Sequence, residues 1–342
     1  ATLKAGVRDG GQRRSPLRTA LLLTQAALSV VLLVGALLFV RSLQHARAVP
    51  LGYDSESVLY VSPNMRGVRL DDAGQIALRS RLLEAARQIP GVERAALGLT
   101  VPFWDTWSDN LFVAGIDSVD RLGSFTLQAG SGAYFATMGT RVLRGRPITD
   151  EDRTGSAPVV LVSDAMAKRL WPGQDALGQC MRVGADTSPC RTVVGIAENI
   201  RQNSITEDPG LHYYLPIDQY NPASAVLFVR VRGDAAGLKE TVRKSLQQLM
   251  PGDAYLSVTP MQDIVGEQTR SWRFGATMFL AFGGLALVLA AIGLYSVIAY
   301  DVAQRTHELG VRIALGARSG DVVRLVVGDG LRVAVIGVAI GG

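Results

Sequence analysis

Residues 305–317, Arg-Thr-His-Glu-Leu-Gly-Val-Arg-Ile-Ala-Leu-Gly-Ala, are the most chemically organised stretch of this sequence. On a helix Arg305 and Glu308 form an i,i+3 pair and Glu308 and Arg312 an i,i+4 pair, so opposite charges ladder one face. Leu309 and Ile313 point elsewhere, Gly316 is a natural stop, and Ser319 to Asp321 can cap a new helix running to Val327. The segment reads either as a solvated connector or as a lever against a partner, and its residues leave both open. It is not a metal helix: His307-Glu308 begins like a zinc-protease motif, but Val311 stands where a second histidine is required.

Elsewhere reactive chemistry is sparse. The three histidines are His45, His212 and His307, and no Ser–His–Asp triad or histidine metal site is easily built from them. No G-x-x-x-x-G-K-[ST] loop occurs, so the chain is not expected to bind ATP itself, and nothing calls for a cofactor or a metal. Asp150-Glu151-Asp152, beside Thr149 and Thr154-Gly155, reads as a solvated turn rather than as catalytic carboxylates or a cation site. Phe103, Trp104 and Trp107 share one loop, and their expected role is core packing rather than a ligand or membrane surface. The chain does not read as an enzyme.

The elements that must position these residues follow from charge and hydropathy. The chain has 342 residues, 48% apolar and 19% charged, with 35 Lys+Arg against 30 Asp+Glu and a pI near 9.4. That composition excludes a disordered tail and a disulfide-dense mini-protein. A pI this high raises nucleic acid as a partner, but the excess is badly placed for it. Residues 1–18 carry five basic groups and one acidic, residues 41–273 are neutral with 25 of each sign, and residues 301–332 carry five basic and four acidic. Between these blocks, 19–40 and 274–300 hold no charge over 22 and 27 residues, more than the roughly 20 that cross a hydrocarbon core as a helix. The basic bias before the first span places 1–18 and 301–324 in the cytoplasm and 41–273 outside it. The +5 is therefore a topology signal, and no nucleic-acid partner is expected. A third apolar run, 325–342, starts near Leu325 and is uncharged from Val333; it reads as the start of a third span, and the chain as a fragment cut inside it.

The external region carries ordinary globular patterning. Ser57–Val61 reads as a strand, and Asp71-Asp72 cap a helix with Leu78, Leu82, Ala85 and Ile89 on one face, ended by Pro90-Gly91 before a strand at Val92–Leu99. The order recurs: a strand at Ala225–Val231, a helix with Leu238, Val242, Leu246 and Leu249 ended by Pro251-Gly252, and a strand at Tyr255–Thr259. Two βαβ units thus flank a strand-rich insertion, residues 100–224. Within it Pro158–Val162 is a strand, Asp164–Leu170 a helix, and Cys180–Val183 with Arg191–Ile196 a hairpin. The only two cysteines are Cys180 and Cys190; in an oxidising compartment they are expected to form a disulfide worth roughly 3 kcal/mol. In the second span Gly283, Ala286, Ala290 and Gly293 share a face that lets helices approach closely, as generic packing or as a dimer seam.

The pattern R-x-x-E-L-G-x-R-x-A-L-G-A resembles the cytoplasmic signature of FtsX-domain permeases, including MacB-type ABC transporters. Gly52-Tyr53-Asp54 with Val58-Leu59 resembles the segment after their first span. Tyr134-Phe135, Met138-Gly139, Arg144-Gly145-Arg146, Asp152 and the run from Val159 through Trp171-Pro172-Gly173 to Gly178 are similar to their periplasmic core. The likeness covers nearly the whole chain and is similar to one unit of the duplicated permeases of acidobacterial type. It implies membrane helices plus an extracytoplasmic α+β domain, with a porter-like subdomain (57–99 and 225–260) and a β-rich Sabre-like insertion (100–224). It implies a bacterial inner-membrane location with the large domain in the periplasm, a cytoplasmic ABC ATPase as partner, and a second FtsX unit in the same or another chain. By resemblance Arg305, Glu308, Gly310, Arg312 and Gly316 belong to the segment that meets the ATPase, and ATPase motion is passed through the membrane to the periplasmic domain for export. The competing readings are a membrane-tethered sensor, whose output domain the short 301–324 loop cannot supply, and a regulator of a cell-wall hydrolase.

Overall fold

The computed structural model describes residues 16–206, 210–304 and 306–315, with residues 320, 335 and 339. Apart from those last three, the expected helix at Ser319–Val327 and the third apolar run lie outside the described residues, as does most of the basic segment 1–18. The chain divides into two compact units, Ala48–Thr269 and the flanking Ala1–Arg47 with Arg270–Gly342.

Helix α1 (Pro16–Ala48) carries the first apolar stretch and continues through Arg41 and Arg47. Among the described residues the domain that follows is built on eleven strands. In chain order they are β1 (Val58–Asn64), β2 (Val92–Gly98), β3 (Leu111–Val113), β4 (Phe125–Gly130), β5 (Val142–Gly145), β6 (Val159–Ser163), β7 (Cys180–Val183), β8 (Arg191–Ala197), β9 (Leu211–Pro216), β10 (Val226–Val231) and β11 (Tyr255–Pro260). The helices among them are α2 (Asp72–Arg87), α3 (Tyr134–Met138), α4 (Asp164–Leu170), α5 (Ile217–Tyr220), α6 (Ala235–Gln247) and α7 (Met261–Gln268).

Local sequence sets the helix starts. Asp71 accepts from the Gly74 amide at 2.8 Å to start α2, Ser163 accepts from Met166 N to start α4, and Asp234 accepts from Ala236 N to start α6, each satisfying a donor that the first turn cannot. Leu78, Leu82 and Ala86 of α2 and Val242 and Leu246 of α6 are buried, as amphipathic spacing requires.

Strands β11-β1-β10-β2 form an antiparallel ladder, with α2 joining β1 to β2 and α6 joining β10 to β11. The sheet continues β4-β9-β6-β8-β7-β3, with β5 also pairing β8; β4 with β9 and β6 with β8 are parallel. Period-two alternation splits the side chains between two buried layers. Leu59, Val61, Ala95, Leu97, Val229, Val160 and Val162 join the layer that includes α2, α4 and α6. Val58, Tyr60, Ala96, Phe228 and Leu161 join the opposite layer with Tyr134, Phe135, Met138, Met261 and Ile264 of α3 and α7. Burial on both faces explains why Val159–Ser163 reads as a continuous apolar run rather than an alternating one.

The ladder meets the rest of the sheet at a single pair, Gly98 opposite Gly130. The Tyr134 ring lies over both. A Cβ at Gly98 would come within 2.9 Å of Tyr134 Cε2 and 2.7 Å of Phe228 Cε2, and one at Gly130 would overlap the base of the Tyr134 ring. Only glycine lets the aromatic ring sit this close to both strands.

In the flanking unit, α8 (Arg270–Gln304) contains the second apolar stretch and α9 (Thr306–Ala314) follows it. Among the described residues two helices, Leu23–Ala48 and Arg270–Gln304, are long and apolar enough to cross a membrane, and only 11% and 6% of their most apolar windows are buried. A core helix of a soluble protein would bury that surface; here Leu28, Leu38, Leu285 and Leu287 are more than half exposed. The contacts of α1 with α8 run in opposite chain directions: Phe39 meets Gly275, Gly35 meets Phe279, and Leu33 meets Gly283. Phe39 and Phe279 stack with centroids 5.2 Å apart.

Candidate functional site

Part of the charged segment 305–317 falls on α9. Glu308, Gly310 and Arg312 lie within it, whereas Arg305 and Gly316 are outside the described residues. The Thr306 hydroxyl donates to Val302 O at 3.0 Å and Ala303 O at 2.9 Å, tying α9 to the last turn of α8. Val311 and Leu315, one turn apart, are 47% and 83% exposed, and no atom of the described residues lies within 4 Å of a Cβ built at Gly310. This is a short helix with open apolar surface at the end of a long apolar one.

On α8 the small-residue face is the less exposed one. Gly283 is buried and Ala286, Ala290 and Gly293 are half-buried, while Leu285, Leu289 and Ile292 are exposed. A Cβ at Gly283 would sit 3.3 Å from Leu33 Cδ2 and 3.6 Å from Leu32 Cβ. At Gly283 the close approach is therefore made to α1 of the same chain.

In the domain, the residues of the Gly52-Tyr53-Asp54 and Met138-Gly139 motifs come together although they lie far apart in sequence. Asp54 N donates to Met138 O at 2.7 Å, and the Thr140 hydroxyl donates to Gly52 O at 2.8 Å. The Asp54 carboxylate accepts from the amides of Glu56 and Ser57 at 2.9 and 3.1 Å, and from Arg230 Nη1 at 2.9 Å. Arg230 Nε donates to Thr137 O at 2.9 Å. Gly139, at φ +78°, ends α3, and a Cβ there would lie 2.7 Å from Arg230 Nη2. The chain segment that follows α1 is thus clamped to β10 and to the end of α3. Burial alone would raise the Asp54 carboxyl; the Ser57 and Glu56 amides and the Arg230 guanidinium outweigh it and hold the group below its ordinary value. Sequence reasoning missed Arg230, whose only signal was a charge inside a strand pattern otherwise buried.

The second motif cluster corrects an expectation. Asp152 is not a solvated turn residue: it is 7% exposed and takes a two-pronged bond from Arg146, Nη1 to Oδ2 at 2.7 Å and Nη2 to Oδ1 at 2.8 Å, while Thr149 N donates to Oδ2 at 2.9 Å. Burial pushes this carboxyl up, and Arg146 with Thr149 more than offsets it, leaving it below the ordinary range. The turn exists, but its third carboxylate is the anchor that holds it shut. Cys180 and Cys190 are joined as a disulfide with Cα atoms 5.6 Å apart, at the base of the β7–β8 hairpin, where Cys180 pairs with Thr192.

The aromatic loop is a second correction. Trp104 and Trp107 are 60% and 40% exposed rather than packed in the core, and only Phe103 of the three joins a buried layer. The cause is the backbone: Phe103 adopts φ +65° and donates its amide to Gln202 O at 2.7 Å, which turns the following ring outwards.

Among the described residues no group of three His, Cys, Asp or Glu side chains is placed to hold a metal ion. Residues 19–249 match the MacB-like periplasmic core domain and residues 280–342 the FtsX-like permease C-terminal domain. A probable syringafactin export ATP-binding/permease protein of Pseudomonas syringae is 28% identical over 64% of this chain and 34% of its own length. The macrolide export ATP-binding/permease protein MacB of Escherichia coli is 26% identical over 62% of this chain and 33% of its own. The chain thus spans about a third of the length of these relatives. The periplasmic region of MacB from Actinobacillus actinomycetemcomitans superposes with a TM-score of 0.42 at 13% identity, covering 63% of this chain and 94% of that one. Two candidate spans and a mixed-sheet domain fit a membrane-inserted permease, and with its core matched over 19–249 the chain belongs to the MacB-like family of ABC transporter permeases.

Proposed function

We propose that this chain is a non-catalytic permease unit of a MacB/FtsX-type ABC export system, passing the motion of a cytoplasmic ATPase to a periplasmic domain. The observation that carries the reading is the joint match of 19–249 to the periplasmic core and 280–342 to the permease end, in a chain whose two candidate spans bracket the domain. In this reading α1 and α8 cross the bacterial inner membrane, the β11-β1-β10-β2 ladder is the porter, residues 100–224 are the insertion, and the Cys180–Cys190 bond suits an oxidising periplasm. Residues 305–316, with Arg305, Glu308, Gly310, Arg312 and Gly316, meet the ATPase. A second FtsX unit completes the membrane assembly, and Ala286, Ala290 and Gly293 offer it close-packing surface. The Asp54–Arg230 clamp supports a mechanical role, since it ties the segment after α1 to the sheet by charge-assisted bonds rather than by a slack linker. Relatives are named for export of macrolides and of syringafactin, and we take export as the direction of transport.

Glu308→Lys in the reconstituted transporter tests this. The expected result is normal membrane insertion with stimulation of the partner ATPase reduced at least tenfold, because the charge ladder would then hold only like charges on that face. Unchanged stimulation would sink the coupling role.

A further inference from the structure

The loop between β2 and β3 combines two open indole rings with two aspartates, Asp105 and Asp109, on a rigid frame. Trp104 is 60% exposed and Trp107 40%. Tyr60 of β1 meets the Trp104 ring edge-on with centroids 5.3 Å apart. Beneath them, buried Gln202 donates through Nε2 to Asp105 O at 2.7 Å and accepts from Gln128 Nε2 at 3.0 Å, and Gln128 in turn accepts from the Thr100 hydroxyl. Asp105 accepts from Val101 N at 2.6 Å, and Trp107 O accepts from Leu127 N at 2.7 Å. The rings are therefore presented on backbone fixed at both ends, so that little ordering entropy remains to be lost on binding.

Charge selects what would bind. Residues 100–124 hold Asp105, Asp109, Asp117 and Asp120 against Arg121 alone, a net of −3 within a region, 41–273, that is neutral only as a whole. Indole faces attract cations, and a field of like sign repels acidic partners. Rings this open do not suit a pocket that must enclose most of a small molecule's surface. Exposed tryptophan on a rigid support is instead what dominates protein–protein hot spots.

We propose that the Trp104–Trp107 loop is a docking surface for a segment of a partner protein that carries Lys or Arg beside apolar side chains. The assignment does not depend on which ATPase or cargo the permease serves.

The test uses the full chain in nanodiscs of zwitterionic phosphatidylcholine and three labelled peptides, alternating Leu with Lys, with Gln or with Glu. The Lys peptide is expected to bind most tightly and the Glu peptide least, with affinity falling as salt rises. Trp104→Ala should weaken the Lys peptide about 30-fold, the scale of a tryptophan hot spot. Thr106→Lys, a change at an exposed position of the same loop, should weaken it about tenfold by repulsion and decides the matter if Trp104→Ala does not fold. Equal binding of the Lys and Glu peptides, or no loss in either variant, overturns the proposal. So does displacement of the Lys peptide by tetraphenylphosphonium at equal affinity, which would make this a small-cation site. Self-association lost in Trp104→Ala would equally overturn it, in favour of a second copy of the chain.

Discussion

Replacing Asp54 by alanine should destabilise the Ala48–Thr269 domain by about 2–3 kcal/mol. The carboxylate has three partners, Arg230 Nη1 and the amides of Glu56 and Ser57, all within 3.1 Å. Breaking a fully buried pair by removing one partner costs about 3–5 kcal/mol. Asp54 is 31% exposed and Arg230 15%, so water reclaims part of that loss, while a single hydrogen bond to a charged group is worth about 1.5–3 kcal/mol. For a domain of this length each kcal/mol moves Tm by roughly 2–4 °C, so thermal unfolding of the detergent-solubilised chain should drop by roughly 4–12 °C. Arg230→Met should lose a similar amount, and the double variant little more than either alone, since the two groups share one interaction. The pH dependence gives an independent check. The Asp54 carboxyl titrates lower in the folded state than in the unfolded chain, so its contribution is complete above the unfolded value of about 3.9 and is lost as pH falls through the folded value. The difference between wild type and Asp54→Ala should stay constant from neutral pH to about 4 and shrink below it. Strictly additive single variants, or a difference undiminished in strong acid, would refute the reasoning and leave only a packing effect.

Two further outcomes follow from close approaches. Gly130→Ala should cost about 1–3 kcal/mol by overpacking against Tyr134, measured as a loss of Tm that Tyr134→Ala does not add to. Gly275→Ala, whose Cβ would lie 2.6 Å from Phe39 Cε1, should lower the detergent stability of the helix pair, and Phe39→Leu should restore it; failure of that rescue would place α1 and α8 apart.

What could be read in the residues was what neighbours in sequence decide. The α2 helix from Asp71 to its end before Pro90-Gly91, the strand at β6 and the β7–β8 hairpin are each written in a dozen residues of spacing, capping and turn chemistry. The Asp54–Arg230 bond joins positions 176 apart; Asp54 stands in a Gly-Tyr-Asp motif and Arg230 is a charge in a buried strand, but nothing local pairs them. The parallel pairing of β4 with β9 is equally silent, because a parallel neighbour leaves no turn between the strands. Trp104 misled because an indole's size argues for the core; the φ of Phe103 and a hydrogen bond to Gln202, both invisible in composition, decided otherwise. Asp152 misled in the opposite sense: among turn residues a carboxylate reads as solvated until its arginine is located.

The joint at Gly98 and Gly130 has a consequence for how such a domain can be rebuilt. The Gly98–Gly130 pair, its flanking bonds from Leu99 N to Ala129 O and from Ser131 N to Leu97 O, and one aromatic ring register the antiparallel ladder against the strand beyond it, and the bonds from Arg230 to Thr137 O and from Asp54 N to Met138 O fasten α3 to the same side. A foreign insert would need to supply a glycine at its first paired position, a ring to lie across the seam, and backbone acceptors where Thr137 O and Met138 O now meet Arg230 and Asp54. The domain is in this respect a socket: whatever it receives must reproduce that short set of named contacts.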